Sequence, residues 1–314
     1  NNTAVGYLSL QANTTGTQNA AVGEGSLFAN TTGNYNTSLG KSALQNNTTA
    51  SNNTGIGYKA LIANTTGANN VAMGYQALDA NTTASDNVAI GTSALGAMTG
   101  GTGKNYALGY EAMASVSNGV SNIGIGYKAG YQSPAITTGD RNVILGNYST
   151  GSVADAQDQC TLGYNVTGSG NQTFTFGNAG SDTTISYGST SWSNPSDERI
   201  KQDIATSTAG LSFINDLRPV TFKYKNEGSI PSTFVGYVED STTPVINSLT
   251  NHGFIAQEVK TAIDAHSELK NGFDMWGEGG DGRQRVGDSA LVPMLVKAIQ
   301  ELSTKNDALE ARIT

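Results

Sequence analysis

Asn70-Val71-Ala72-Met73-Gly74-Tyr75-Gln76-Ala77-Leu78-Asp79-Ala80-Asn81-Thr82-Thr83 is one copy of a unit that recurs, with substitutions, over about the first 165 residues. Aligning the copies on the glycine that follows an apolar residue gives Gly6, Gly23, Gly40, Gly57, Gly74, Gly91, Gly109, Gly126, Gly146, Gly163 and Gly177, and most steps are 17 residues long. A unit this short cannot bury a face alone, so the constant period means one turn of a stacked coil per repeat. The residue before each glycine is apolar (Val5, Val22, Leu39, Ile56, Met73, Leu108), and a second apolar position follows four residues after it (Leu27, Leu44, Leu61, Leu78, Met113). Both columns are expected to point inward, on two short strands per turn. The Asn-Thr-Thr-Gly/Ala segments beginning at Asn13, Asn30, Asn47, Asn64 and Asn81 carry residues that tolerate left-handed backbone, and they read as a turn repeated in register.

Composition supports this outward from the repeat. Glycine accounts for 39 of 314 residues, while charged residues make up only 13% and hydrophobic residues 37%. Residues 1–195 hold 8 acidic and 5 basic side chains; residues 196–314 hold 17 and 12, and that shift marks a domain boundary. A net charge of −8 argues against nucleic acid or an anionic membrane surface as partner, because phosphate neutralisation needs clustered Lys and Arg. One cysteine, Cys160, excludes an intrachain disulfide framework, and two histidines leave little for a metal site; no cofactor is expected. No apolar run approaches 18 residues, so no helical membrane insertion is expected. Asn1 falls in the middle of a repeat with no signal peptide before it, which reads as a piece of a longer chain.

Several local matches dissolve into the repeat. Gly124, Gly126 and Gly130 imitate a dinucleotide loop, but no βαβ unit surrounds them. The Asn-Thr-Thr copies match glycosylation acceptors only because the turn recurs. Tyr7, Tyr58, Tyr75, Tyr110, Tyr127 and Tyr164 form a broken stripe that suits packing between subunits or stacking on sugar rings. A glycosidase needs two opposed carboxylates, and Asp155 with Asp158 is the one close pair in residues 1–195.

The Asn-x-Ala-Val/Ile-Gly-x-x-Ser/Ala-x-Ala rhythm resembles the YadA-like head of trimeric bacterial adhesins. That resemblance covers about residues 1–165 and implies a trimeric left-handed parallel β-roll solenoid, with the Asn-Thr-Thr-Gly segment as a lengthened outer loop. Residues 166–195 keep a worn repeat around Gly177 and read as a β-rich neck ending in a junction.

After Asn194-Pro195 the texture is that of a small α+β domain over 196–314. Leu211, Ile214 and Leu217 predict a short helix after the cap candidates Thr206, Ser207 and Thr208, stopped by Arg218-Pro219. Val220 to Tyr224 and Phe234 to Val238 read as strands, about 257–265 as a helix, and Gly272 to Gly287 as a loop. A long terminal helix is expected over about 289–313, with Pro293 in its first turn. Its seam, Leu291, Leu295, Ala298, Leu302, Lys305 and Leu309, alternates steps of four and three and asks for partner helices or for its own domain.

Ser196-Asp197-Glu198-Arg199-Ile200-Lys201, then "LSFINDLRPVTF" (211–222), "HGFIAQEV" (252–259) and "SALVPMLVKAIQEL" (289–302) resemble, in order, the intramolecular chaperone autoprocessing domain of phage tail fibres, tailspikes and endosialidases. The resemblance covers 196–314 and implies a homotrimer whose last domain acts as a folding aid and then cuts itself off, as a single-turnover serine peptidase. By the family motif Ser196 is the nucleophile, Lys201 its base, and the cut falls at Pro195–Ser196; Asp197, Arg199 and His252 are possible supporting residues. A serine hydroxyl needs a neighbouring base, and a lysine serves only when desolvation lowers its pKa. The implied setting is the virion, after folding in the host cytoplasm, with a host cell-surface glycan as receptor. The competing readings are a polysaccharide-degrading tailspike with its activity upstream of this segment, and a bacterial surface adhesin.

Overall fold

The computed structural model describes residues 1–270 and 273–313. The chain forms two compact units, Asn1–Ile200 and Lys201–Thr314.

The first unit is a β-solenoid with one strand per rung. Eleven strands, from β1 (Thr3–Val5) to β11 (Thr173–Asn178), stack in chain order as one parallel sheet. Their register repeats: Val71, Ala72 and Met73 sit over Val88, Ala89 and Ile90, and these over Tyr106, Ala107 and Leu108. The rest of each rung consists of turns, so the second strand expected per turn is absent from the described residues. An antiparallel return, β12 (Ser181–Ser186), pairs with β11 and ends the ladder.

The inward column differs from the sequence expectation. Strand residues alternate faces, and in these three-residue strands the small middle residue points in: Ala107 is 2% exposed, whereas Leu108 beside it is 48% exposed. The column before each glycine therefore lies on the outer face of the sheet. The core is built instead from the second column, Leu27, Leu44, Leu61, Leu78, Leu95 and Met113, closed over Ala21, Ala72, Ala89 and Ala107. The lumen is narrow enough that volumes trade between positions. Opposite Met113 the strand carries Gly124, where a Cβ would stand 2.5 Å from the Met113 Cγ. Where the leucine position becomes Gly130, the next strand supplies the buried Ile144. Gly74 shows why the alignment glycine recurs: its φ is +138°, and a Cβ would meet the Gly91 carbonyl at 2.6 Å.

Two amide ladders run inside the coil. The Asn36, Asn53, Asn70 and Asn87 backbone N–H groups each donate to the side-chain Oδ1 one rung earlier, over 2.9–3.0 Å. Asn30, Asn47, Asn64 and Asn81 form the second, each Nδ2 donating to the preceding Oδ1 over 2.8–3.0 Å. These belong to the Asn-Thr-Thr segments, which are thus only half an outer loop: the asparagine is buried and the second threonine is exposed. The second ladder ends where Met98 takes the next position, and the buried Asn81 Oδ1 has no donor.

In the second unit, α1 (Leu211–Asp216), α2 (Ala256–Ala265) and α3 (Leu291–Ile313) enclose a core of Phe213, Val259, Ile263, Leu269, Met275 and Leu291. Thr206, Ser207 and Thr208 do not cap α1. Gly210 occupies the cap without a side-chain bond, and Glu301 of α3 accepts from the Leu211 N–H instead. The strand β13 (Val220–Phe222) pairs with β14 (Asn251–Gly253), not with Phe234–Val238. That stretch is consecutive turns, with Phe234 N–H on the Pro231 carbonyl, Tyr237 N–H on the Phe234 carbonyl, and Gly236 at φ +97°. The expected loop contains a hairpin, β15 (Trp276–Glu278) with β16 (Gln284–Val286), and its starting Gly272 lies outside the described residues.

Helix α3 is amphipathic on two sides. Leu291 (6% exposed) and Ala298 (4% exposed) pack on their own domain, so the seam read from sequence mixes two faces. The outer face carries Val292, Leu295, Ile299, Leu302, Leu309 and Ile313, all exposed.

Candidate functional site: the junction at residues 195–201

The approach to the junction is anchored and the junction is open. Ser193 exchanges two backbone hydrogen bonds with Thr184 of β12 (2.9 and 2.8 Å), and the Thr183 hydroxyl donates to Asn194 Oδ1 over 2.6 Å. Pro195 and Ser196 follow directly, exposed and without regular structure. A single 3-10 turn, Glu198–Ile200, separates Ser196 from Lys201, which is also exposed. Ser196 lies four residues before the end of the first compact unit at Ile200, and Lys201 opens the second.

The structure brings Asp197 and Arg199 together. The Arg199 Nε donates to Asp197 Oδ1 at 2.9 Å, its Nη2 to Oδ2 at 2.5 Å, and its backbone N–H to Oδ1 at 2.9 Å. Chiefly because of that side-chain bond, the Asp197 carboxyl is held below its ordinary range, and the guanidinium is raised for the same reason. The pair closes the turn on itself, so its arrangement is that of a local clamp. His252 is on β14, opposite Thr221, exposed at the rim of a cavity of about 500 Å³ lined by Pro219, Val220, Thr221, Gly253 and Phe254.

Sequence reasoning missed His266. It follows α2 and reaches Asp216 of α1 with Nε2 at 2.8 Å and Glu268 with Nδ1 at 3.3 Å, edge-on to Phe213. Its imidazole is pushed up, chiefly by the hydrogen bond to Asp216, against the opposing effect of burial and with Glu268 adding to the rise. A histidine at a helix C-terminus is a recognisable signal; a partner fifty residues away is not. A cavity of about 550 Å³ also gathers Lys223, Lys225, Arg283 and Arg285 around Phe222 and Phe234.

On the solenoid, the tyrosines stack on one another. Tyr110 and Tyr127 lie 5.1 Å apart and within 9° of parallel; Tyr148 and Tyr164 extend the row edge-on. Lys128 sits 5.6 Å from the Tyr127 ring and pairs with Glu111 at 3.2 Å. Ring faces are therefore partly used by neighbouring rings, while Tyr110, Tyr127 and Tyr164 stay exposed. Asp158 is gripped by Arg141 (2.6 and 2.9 Å), which lowers its carboxyl pKa and leaves the Asp155/Asp158 pair unlike an opposed acid and base. Among the described residues no group of three or more His, Cys, Asp or Glu is placed to hold a metal, and no helix is long and apolar enough to cross a membrane.

No curated protein and no solved structure matches the chain significantly. The family model described as "Chaperone of endosialidase" does, over residues 196–268, beginning at the serine of the junction. That match and the solenoid before it fit a tail-fibre-type protein with a C-terminal chaperone domain.

Proposed function

We propose that three copies of this chain form a phage tail fibre, that the segment from Ser196 onward drives the trimerisation, and that it then detaches by cutting Pro195–Ser196. The observation that carries the trimer is the outer face of the solenoid sheet. Leu39, Met73, Leu108, Ile125, Leu162 and Phe176 are all exposed there, in register over strands about 4.8 Å apart. An apolar stripe of that length in water marks an association surface. Other copies of the same face are its simplest cover, since a linear repeat offers identical spacing to its own kind.

The self-cleavage reading is supported by the family match starting at Ser196 and by an exposed junction beside an anchored strand. In it, Ser196 Oγ attacks the Pro195 carbonyl carbon and Lys201 takes the hydroxyl proton. Lys201 Nζ then returns that proton to the leaving Ser196 amine, and water hydrolyses the resulting ester. An ammonium is no base until it sheds its proton, and desolvation favours that, so burial of Lys201 by neighbouring copies would time the cut to assembly. The fibre's receptor is a host surface glycan, met by the exposed parts of the Tyr110–Tyr164 row.

Sedimentation of the uncut Ser196→Ala chain should give a trimer, and denaturing gels of the wild type should show a fragment of about 119 residues that this variant lacks. A monomeric variant sinks the trimer; an assembled wild type that stays whole sinks the Ser196/Lys201 dyad.

A further inference from the structure

We infer that the cavity between β13 and β16 is a docking groove for an extended acidic peptide, which adds to the open strand edges there and sets its carboxylates on Lys223, Lys225 and Arg285. The inference stands on the second unit alone and needs neither the trimer nor the cut proposed above.

The groove runs along strand edges rather than over a sheet face. Side chains alternate faces along an extended chain. The Phe222 and Tyr224 rings meet edge-on at 5.3 Å on one face, which leaves Lys223 and Lys225 to the other. Yet all four of these consecutive residues line the cavity, and so do Arg283, Gln284 and Arg285. A space lined by both faces of a strand at once lies beside its backbone. Along β13 and its continuation to Lys225 that space extends over four residues, about 13 Å of strand.

Both edges are open. Among the described residues β13 pairs only with β14, and β16 only with β15. The N–H and C=O groups of Lys223 and Tyr224 make no hydrogen bond among the described residues. On β16, Gly279 N–H donates to the Arg283 carbonyl, and Gly287 N–H to the Met275 carbonyl, both over 2.8 Å. Positions 283 and 287 therefore face β15, and the antiparallel alternation turns the Gln284 and Val286 backbone groups outward. An unpaired strand edge is a template for a further strand, and an extended peptide can bind to it through the main chain.

Charge chooses the peptide. Residues 196–314 carry 17 acidic and 12 basic side chains, so a basic groove stands against its own domain. Lys223, Lys225 and Arg285 form no ion pair among the described residues, and Arg283 places its Nε on Asp281 at 2.5 Å. Lys223 and Lys225 are two residues apart, as are Arg283 and Arg285, which matches carboxylates at every second position of an added strand. The positions between them meet Phe222, Tyr224 and Phe234. Lysines on an edge discourage pairing with most strands; here they restrict the groove to acidic ones.

Fluorescence anisotropy tests this with a labelled six-residue peptide alternating glutamate and valine, titrated onto the full-length Ser196→Ala chain. Binding should be saturable and should weaken at least about tenfold between about 0.05 and about 0.5 M salt. A lysine–valine peptide should not bind. The glutamate–valine peptide N-methylated at alternate residues keeps its charge but loses main-chain donors, and should bind at least about tenfold more weakly. Lys225→Glu with Arg285→Glu should reject the acidic peptide and accept the lysine–valine one, which also shows that the variant is folded. The peptide comparisons decide the matter if that variant does not fold. No saturable binding, or equal binding of the lysine–valine peptide, overturns the inference. Equal binding of the N-methylated peptide marks a site for anions of any kind and overturns it as well.

Discussion

The Leu211 backbone N–H donates to Glu301 Oε2 across 2.9 Å, so the first turn of α1 is capped by a residue ninety positions further on. The carboxylate also lies at the positive end of the helix, and Gly210 leaves room for it: a Cβ there would stand 2.8 Å from the same carboxylate. Glu301→Ala should lower the stability of the second unit by about 1 kcal/mol, the usual worth of a lost helix cap. Glu301→Gln, which keeps an acceptor, should lose less. Thermal melts of the two variants, followed by Trp276 fluorescence, give the comparison; equal melts would mean the cap contributes nothing.

His266 makes that unit sensitive to pH. Its folded pKa is raised, first by Asp216, so the protonated ring is favoured in the folded state. The stability this adds is full below the unfolded value near 6.5 and is lost as pH rises through the folded value. The melting temperature should fall on going from pH 6 toward pH 8. His266→Gln should flatten that slope, and a slope unchanged in the variant would assign it to other groups.

Inside the solenoid, position decides what an asparagine is worth. Asn70 Oδ1 accepts from the Asn87 N–H and Nδ2, both at 3.0 Å, and its Nδ2 donates to the Ala84 carbonyl at 2.9 Å. Asn70→Leu strands those groups in a buried interior and should cost about 3 kcal/mol or more. Asn69 next to it is exposed, its side chain donates to Asp86, and its φ is +60°, a left-handed conformation that asparagine tolerates better than alanine, so Asn69→Ala should cost only about 1 kcal/mol. Denaturant titrations of the two chains measure the contrast.

Leu108 and Met113 separate the two sides of the sheet. Leu108→Lys should weaken association while leaving the circular dichroism of the coil intact, because the side chain faces out. Met113→Lys buries a charge beside Gly124 and Gly130 and should unfold the surrounding rungs. Loss of structure in Leu108→Lys would restore the inward reading of that column.

These contrasts show what was legible. The 17-residue period is written in covalent spacing, so the coil and its length per turn could be read directly. Which apolar column faces inward could not: with an alanine between two large residues, a three-residue strand has an apolar pattern on both faces, and the outward one looks like core. Helices α1 to α3 followed from their periodicity. The cap on α1 came from a distant carboxylate, which no local motif announces. Phe234–Val238 has strand composition, but Gly236 at φ +97° breaks it into turns, while glycines around Trp276 hid a hairpin. The junction was legible only through the run from Ser196 to Lys201 and its resemblance to a known family.

The reversal of direction at β12 has a consequence for length control. A parallel ladder presents at its last strand the same open row of amides and carbonyls as at every strand before it, and a foreign segment can continue it. With β12 running backward and itself held by Ser193, the next place is no longer shaped for another copy of the unit. Duplicating a whole rung upstream should therefore yield a longer shaft with an unchanged terminus, a modular ruler whose stop is set by chain direction.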